Sequence, residues 1–374
     1  MKISLVTQNT IRNYGSNLQA YALVETIKKM GCEVEILNYW PNESYKYFNL
    51  YYFPYEGSIF LKIKRLIRNL YYFIFARSLK LSYQRFDSFR KQYLPQTQIV
   101  YLTEDDILSN PPDCDTFVVG SDCLWYPNDA KNNGVRYLSM AHKLGKRAVS
   151  YAPSLTYNKM PDADISEIMA NYFKDIDFLS SRERVGCEIV SKISGRECVP
   201  TLDPTLLFNA TWWNHLIDKA RLISGDYILA YTVHDSPLFR KSLKRLRKQT
   251  GLPIVMLSIS MVHSIRMPYN KLIMSAGPKE FLNLIYNAKY VVSGSFHAIA
   301  FSIIFKKTFY AIPVKKNDSR ITDILSRFDL DSQMILSVEQ ISSDLKPDYS
   351  SIDEKMDSQR NDSLMYLKNS IFCD

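Results

Sequence analysis

Two successive series of short apolar runs, separated by stretches of helical periodicity, limit what this chain can fold into more than any other feature. In the first series, residues 2–7, 33–38, 115–119, 147–152 and 177–180 read as strands. Residues 16–30 form an amphipathic helical pattern, closed by Gly31 where a C-cap glycine is expected. In the second series, 227–232, 253–258, 290–292 and 308–312 read as strands, with helices over 237–249, 278–287 and 295–305. Strands that alternate with helices build parallel, doubly wound sheets. The Asp203-Pro204 pair interrupts the alternation between the series. At 374 residues the chain exceeds one ordinary core, since domains run to about 100–200 residues. The expected fold class is therefore α/β, with two Rossmann-like domains facing a cleft. Residues 1–205 are read as one domain, 206–345 as the second, and 346–374 as a polar C-terminal helix or tail. Ligands of open α/β sheets gather beyond the carboxyl ends of the strands, which places the chemistry in that cleft.

Charge matters because it is unevenly placed. Of a net +9, residues 59–93 hold nine cations against Asp87 alone. This segment, inside an insertion-like region at 39–94, also carries an apolar stripe and many Tyr and Phe. Such a helix suits either an anionic lipid surface or an inter-domain or oligomer contact. A second basic run, 240–248, reads as a solvated helix face. No nucleic-acid motif is present, so nucleic acid is not expected as a partner. The six cysteines lack a C-x-x-C pair or zinc spacing, which fits reduced thiols and no metal site. No signal peptide and no run of about 18 apolar residues occurs, so the expected location is cytoplasmic, with peripheral contact to the inner face of the membrane through 59–93.

Four turns that follow strands carry the residues suited to chemistry. The first, T-Q-N-T-I-R-N-Y-G-S-N-L-Q, places Asn13, Gly15, Asn17 and Gln19 around a helix start, where free N–H groups and the dipole favour binding. In the second, V-V-G-S-D-C-L-W, Gly120 permits close backbone approach. There Ser121 and Asp122 suit sugar hydroxyls, and Trp125 offers a face to a pyranose. The third, S-S-R-E-R-V-G, holds Arg182, whose guanidinium fits a carboxylate or phosphate, or pairs with Glu183. In the fourth, V-V-S-G-S-F-H-A, Ser295 and His297 open a helix at a site built for phosphate. Lys315, Lys316 and Arg320 follow the last strand as a cationic wall.

No G-x-G-x-x-G, Walker, H-E-x-x-H or G-x-S-x-G motif occurs. The four segments, joined by K-R-A-V-S-Y-A-P-S and L-D-P-T-L-L, instead resemble the polysaccharide pyruvyltransferase family over roughly residues 1–330. The chain departs from that pattern at Cys123, where relatives commonly carry Gln. The resemblance implies a GT-B-like architecture, phosphoenolpyruvate as co-substrate with no further cofactor, and a glycan acceptor, often lipid-linked. By the same resemblance, Arg182, His297 and Lys316 (or Lys315) match donor-contacting positions, with Ser295 and Arg320 beside them. Asn13, Gly15, Asn17, Gln19, Gly120, Ser121 and Trp125 are assigned to the acceptor, and His297 and Asp122 to proton transfer. A nucleotide-sugar-dependent glycosyltransferase on the same plan is the alternative.

Overall fold

Apolar runs without polar alternation, such as Thr116–Val119 and Ile228–Tyr231, are buried along their whole length. They need cover on both faces, and parallel sheets provide it. The computed structural model describes residues 1–41, 59–259, 266–313 and 318–373, and for 59–72 the backbone only. The first sheet comprises β1 (Lys2–Val6), β2 (Glu33–Ile36), β3 (Thr116–Val119) and β4 (Arg147–Ser150), in the order β2-β1-β3-β4, parallel throughout. A short parallel pair, β5 (Ser180–Ser181) and β6 (Val199–Pro200), continues from its edge through a Val149–Phe178 bridge. The second sheet comprises β7 (Ile228–Tyr231), β8 (Ile254–Leu257), β9 (Lys271–Ile273), β10 (Tyr290–Ser293) and β11 (Thr308–Ala311), in the order β11-β10-β7-β8-β9. Each sheet reverses direction beside its first strand, between β1 and β3 and between β7 and β10. Connections diverge at such reversals and open a crevice at the strand ends.

Helices cover both faces of each sheet. With the first sheet go α1 (Tyr14–Lys29), α2 (Ile59–Tyr93), α3 (Glu104–Ser109), α4 (Ala163–Lys174) and α5 (Arg184–Ser194). The short α6 (Ala210–Trp213) marks the crossover. The second sheet carries α7 (Pro237–Thr250), α8 (Pro278–Asn287), α9 (Phe296–Ile304) and α10 (Ser319–Arg327), and α11 (Ile352–Phe372) ends the chain. The tail helix returns to the first half: Tyr366 donates to the Ser150 carbonyl at 3.0 Å, and Arg147 to the Ile371 carbonyl at 2.9 Å. The architecture is α/β, with two Rossmann-like domains facing a cleft.

Helix α1 starts one half-turn earlier than its apolar pattern suggests. The Asn13 side chain accepts from Ser16 N at 3.3 Å and so caps the helix, which frees the Ser16 hydroxyl for a partner elsewhere. Tyr14, at the first position, is fully buried and stacks on Phe281 of α8 at 4.9 Å and on Phe86 of α2 at 5.3 Å. One apolar core thus runs through both halves.

The basic segment corrects one part of the sequence reading. The carboxyl half of α2 wedges between the domains: Phe86 and Phe89 are buried, and Ser82 donates to the Ala276 carbonyl at 2.7 Å. Arg85 pairs with Glu280 at 3.0 Å, and Arg90 donates to the Thr10 carbonyl at 3.0 Å. Those two cations bind the protein's own backbone and acids, so no lipid surface is left for them. Phe73 and Ile74, 80% and 63% exposed, remain outward with Arg77 and Lys80. Residues 42–58 of the insertion lie outside the described residues. Among the described residues, no helix is long and apolar enough to cross a membrane.

Candidate active site

The two strand-order reversals face each other, and glycines let their turns close up. Beyond β10, a Cβ on Gly294 would lie 2.6 Å from the Ile312 carbonyl oxygen; beyond β3, one on Gly120 would lie 1.8 Å from that of Tyr151. Only glycine fits either place. His297 follows in the first turn of α9, and Asp122 follows Gly120 with a left-handed φ of 76°. Gly15 of α1 presses on the imidazole from the opposite domain: a Cβ there would lie 2.0 Å from His297 Nδ1.

Arg182 leaves β5 into the same crevice and is buried. Its Nε donates to Glu183 Oε1 at 2.9 Å, and Nη1 donates to Asp203 Oδ2, also at 2.9 Å. His297 Nε2 lies 3.5 Å from that same oxygen, within ion-pair distance, and has no hydrogen-bond partner among the described residues. The other oxygen of Asp203 accepts from Thr205 N at 3.0 Å and from its hydroxyl at 2.7 Å. Ser121 Oγ adds a long contact of 3.4 Å to Oδ2. Burial would push the Asp203 carboxyl up, but His297, Arg182 and Thr205 outweigh it and hold the group well below the usual carboxylate range. The Arg182 guanidinium also sits 4.0 Å over the Phe296 ring. One buried carboxylate therefore joins Arg182 of the first half to His297 of the second.

Asp122 is the second carboxylate here and accepts from the Ser16 hydroxyl. Burial opposes its charge, yet His297, Arg182 and Ser16 hold its carboxyl below the ordinary range, so it is ionised at neutral pH. Cys123 follows it, with Sγ 3.8 Å from Arg320 Nη1. Burial and Asp122 push this thiol up to about 12 in spite of Arg320, which keeps it protonated and removes it as a nucleophile. Arg320 in turn is clasped by Asp318, at 2.9 and 3.1 Å. Arg182, His297 and Arg320 thus face Glu183, Asp203, Asp122 and Asp318, and these described residues supply no excess positive charge. Lys315 and Lys316 of the expected cationic wall lie outside the described residues. Ser295 is the N-cap residue of α9 and makes no side-chain cap bond, so the first-turn N–H groups are not taken up by its hydroxyl.

Several residues assigned to an acceptor instead hold the loops together. Trp125 is fully buried, stacks with Tyr137 at 6.0 Å and donates from Nε1 to the Arg136 carbonyl at 3.0 Å. It has no open face for a sugar, a correction to the sequence reading. Gln19 is also fully buried: Nε2 donates to Thr7 Oγ1 and to the Ser16 carbonyl at 2.9 Å each, and Oε1 accepts from Ser121 N at 3.1 Å. Buried Asn17 donates to the Ile11 and Asn13 carbonyls at 3.1 and 2.9 Å, and Asn13 is spent as the helix cap. Ser121 donates to the Ala152 carbonyl at 2.6 Å. These bonds tie the crevice loops together and use most of the polar atoms of these side chains, although the buried Asn17 Oδ1 has no partner among the described residues.

Sequence reasoning offered the Arg182–Glu183 pair as an alternative, which the structure contains, but missed Asp203 and Thr205 as site residues. The first sits in L-D-P-T, where a proline turn is reason enough for an aspartate; its partners 21 and 94 positions away leave no local trace. The one legible signal was the L-D-P-T-L-L segment itself.

A family model described as polysaccharide pyruvyl transferase matches residues 13–316. A Listeria monocytogenes structure described as a UDP-N-acetylglucosamine 2-epimerase superposes with a TM-score of 0.52 at 10% identity, over 98% of this chain and 90% of that one. Staphylococcus aureus MnaA, solved with UDP, gives 0.54 at 11% identity, again over 98% and 90%. Identities this low speak for the shared GT-B-type fold alone. None of the curated proteins compared with the chain matches it. With the family's segments spread over both halves and meeting in one crevice, the chain belongs to the polysaccharide pyruvyl transferase family and is a transferase.

Proposed function

We propose that the protein moves the pyruvyl unit of phosphoenolpyruvate onto a sugar of a surface polysaccharide precursor, such as a capsule or exopolysaccharide repeat on a lipid carrier, as a cyclic ketal. The observation that carries this reading is the meeting of Arg182 and His297, from opposite domains, on one oxygen of Asp203. Both match donor-contacting positions by the family resemblance.

Phosphoenolpyruvate brings a carboxylate and a phosphate. The N–H groups at the start of α9, Arg320 and the lysines beyond β11 are suited to the phosphate, with Arg182 behind His297. Ketal formation starts with a proton added to the methylene carbon, which gives a methyl group and an oxocarbenium-like centre. One sugar hydroxyl adds to that centre, the C–O bond to phosphate breaks, and a second hydroxyl closes the ring. Of the two hydroxyl protons released, one balances the methyl group and the other leaves with inorganic phosphate. His297 is the proton donor in this scheme, and ionised Asp122 orients and deprotonates the acceptor hydroxyl. Neither a redox cofactor nor a nucleotide enters this chemistry. A lipid-linked acceptor also suits the outward Phe73, Ile74, Arg77 and Lys80 of α2, which would rest on the inner membrane face.

Replacing a general acid typically removes about 10²–10⁴ in rate. His297→Ala and Arg182→Ala should each lose at least about a hundredfold in pyruvyl transfer while remaining folded. Near-normal turnover in either variant takes that residue out of the mechanism.

A further inference from the structure

One large polar cleft in the first domain has no part in the scheme above. It holds about 610 Å³ beside the short turns that follow Trp125, and its walls include Tyr39, Asn128, Asp129, Asn132, Asn133 and Arg136. A small gap of about 10 Å³ adjoins it, sharing Tyr39, Pro41 and Arg136 as walls and lined also by Gln8, Thr10 and Leu124. Leu124 N donates to the Asp122 carbonyl at 2.8 Å, so one wall residue of the gap belongs to the loop that carries Asp122.

The walls are held in place before any ligand arrives. The Tyr39 hydroxyl donates to Asn133 Oδ1 at 3.1 Å, and Arg136 ties Asp129 at 3.1 Å to Gln8 at 3.3 Å. Charges around the cleft are paired as well: Lys131 with Asp164 at 2.7 Å, and Lys143 with Glu104 at 2.6 Å. A cleft of balanced charge attracts neither a polyanion nor a cation. What remains is a set of amides, Asn128 and Asn132 exposed among them, beside the Tyr39 ring. An amide both donates and accepts, as a sugar hydroxyl does, and a tyrosine ring offers an apolar face with a polar edge. These are the demands of a neutral, hydroxyl-rich ligand.

We infer that this cleft is a glycan subsite, holding the sugars that neighbour the one presented to Asp122. The inference rests on the glycan-acceptor reading above and moves the acceptor contacts away from buried Trp125. The test is equilibrium binding by calorimetry with phosphoenolpyruvate absent. The probes are a defined panel of hexose- and N-acetylhexosamine-ended tetrasaccharides, with the matching methyl monosaccharides. Wild-type protein should bind at least one tetrasaccharide, and the Asn128→Ala/Asn132→Ala double variant should bind it at least about tenfold more weakly, as expected when two hydrogen bonds are lost. Monosaccharide binding should not change. Equal tetrasaccharide binding by the two proteins, or no binding of any panel member by the wild type, overturns the subsite. Because no phosphoenolpyruvate is present, a failure of the pyruvyl reading leaves this result intact, and the two outcomes stay distinguishable.

Discussion

Gly15→Ala is the sharpest perturbation of the crevice, because the three atoms nearest the added methyl group all belong to the proposed proton donor. The added Cβ would lie 2.0 Å from His297 Nδ1, 2.1 Å from Cγ and 2.7 Å from Cβ. Ordinary contacts begin near 3.4 Å, so the ring must retreat by about 1.4 Å or the two helices must part. Two effects on stability compete. Alanine is favoured over glycine within a helix by about 0.8–1 kcal/mol, whereas overpacking costs about 1–3 kcal/mol. The net loss is therefore about 0–2 kcal/mol, a few degrees in the melting temperature of a chain this long. Catalysis is less forgiving, since a misplacement of about 1 Å typically costs about a hundredfold. We expect kcat/KM for phosphate release from phosphoenolpyruvate in the presence of acceptor to fall roughly a hundredfold, with circular dichroism unchanged and a melting temperature within a few degrees of wild type. The Gly15→Ala/His297→Ala double variant should regain the stability but none of the activity. Wild-type kcat/KM in Gly15→Ala would refute the claim that His297 works where Gly15 holds it.

Asp203→Asn leaves Arg182 and His297 without their shared charge, and opening a buried pair from one side costs about 3–5 kcal/mol, readable by urea denaturation. Since the folded Asp203 carboxyl is held below its unfolded value of about 3.9, its stabilisation is complete above that pH and fades as pH falls below it. Wild-type stability should therefore drop below about pH 4 more steeply than that of the variant. Trp125→Ala should cost about 3–5 kcal/mol in stability, as for other fully buried aromatic residues, and parallel loss of acceptor affinity in folded protein would restore it as a sugar contact. Phe73→Ser with Lys80→Glu should weaken sedimentation with anionic vesicles and leave turnover on a water-soluble acceptor unchanged; unaltered vesicle binding removes α2 as the contact.

Much of the fold was legible because its signals are local. Apolar runs such as 115–119 and 290–292 sit within one residue or so of β3 and β10, and the S-G-S-F-H turn leads into α9 as its composition implies. Boundaries moved where a side chain decided between neighbouring starts: Asn13 rather than Ser16 caps α1. The site was only partly legible, since residue type tells what a group can bond and not which partner reaches it first. Gln19 and Ser121 look like ligand amides and hydroxyls, yet they bond each other's loops across 102 positions. Trp125 looks like a sugar platform, but Tyr137 and Phe173 close over it. The basic helix looked uniform, whereas Arg85 and Arg90 face the domain junction and Arg77 and Lys80 face solvent. Asp203 illustrates the limit best: its turn is plain in the sequence, and its partners Arg182 and His297 reach it only once both domains have folded.

The central claim is that this crevice takes phosphoenolpyruvate and discharges its phosphate onto a sugar. The measurement closest to it incubates purified protein with phosphoenolpyruvate and a panel of free and lipid-linked glycans, following phosphate and acceptor mass together. The account predicts one phosphate released for each acceptor that gains pyruvate less water, and no turnover of UDP- or GDP-sugars. Sugar transfer from a nucleotide donor, with phosphoenolpyruvate left untouched, would contradict it.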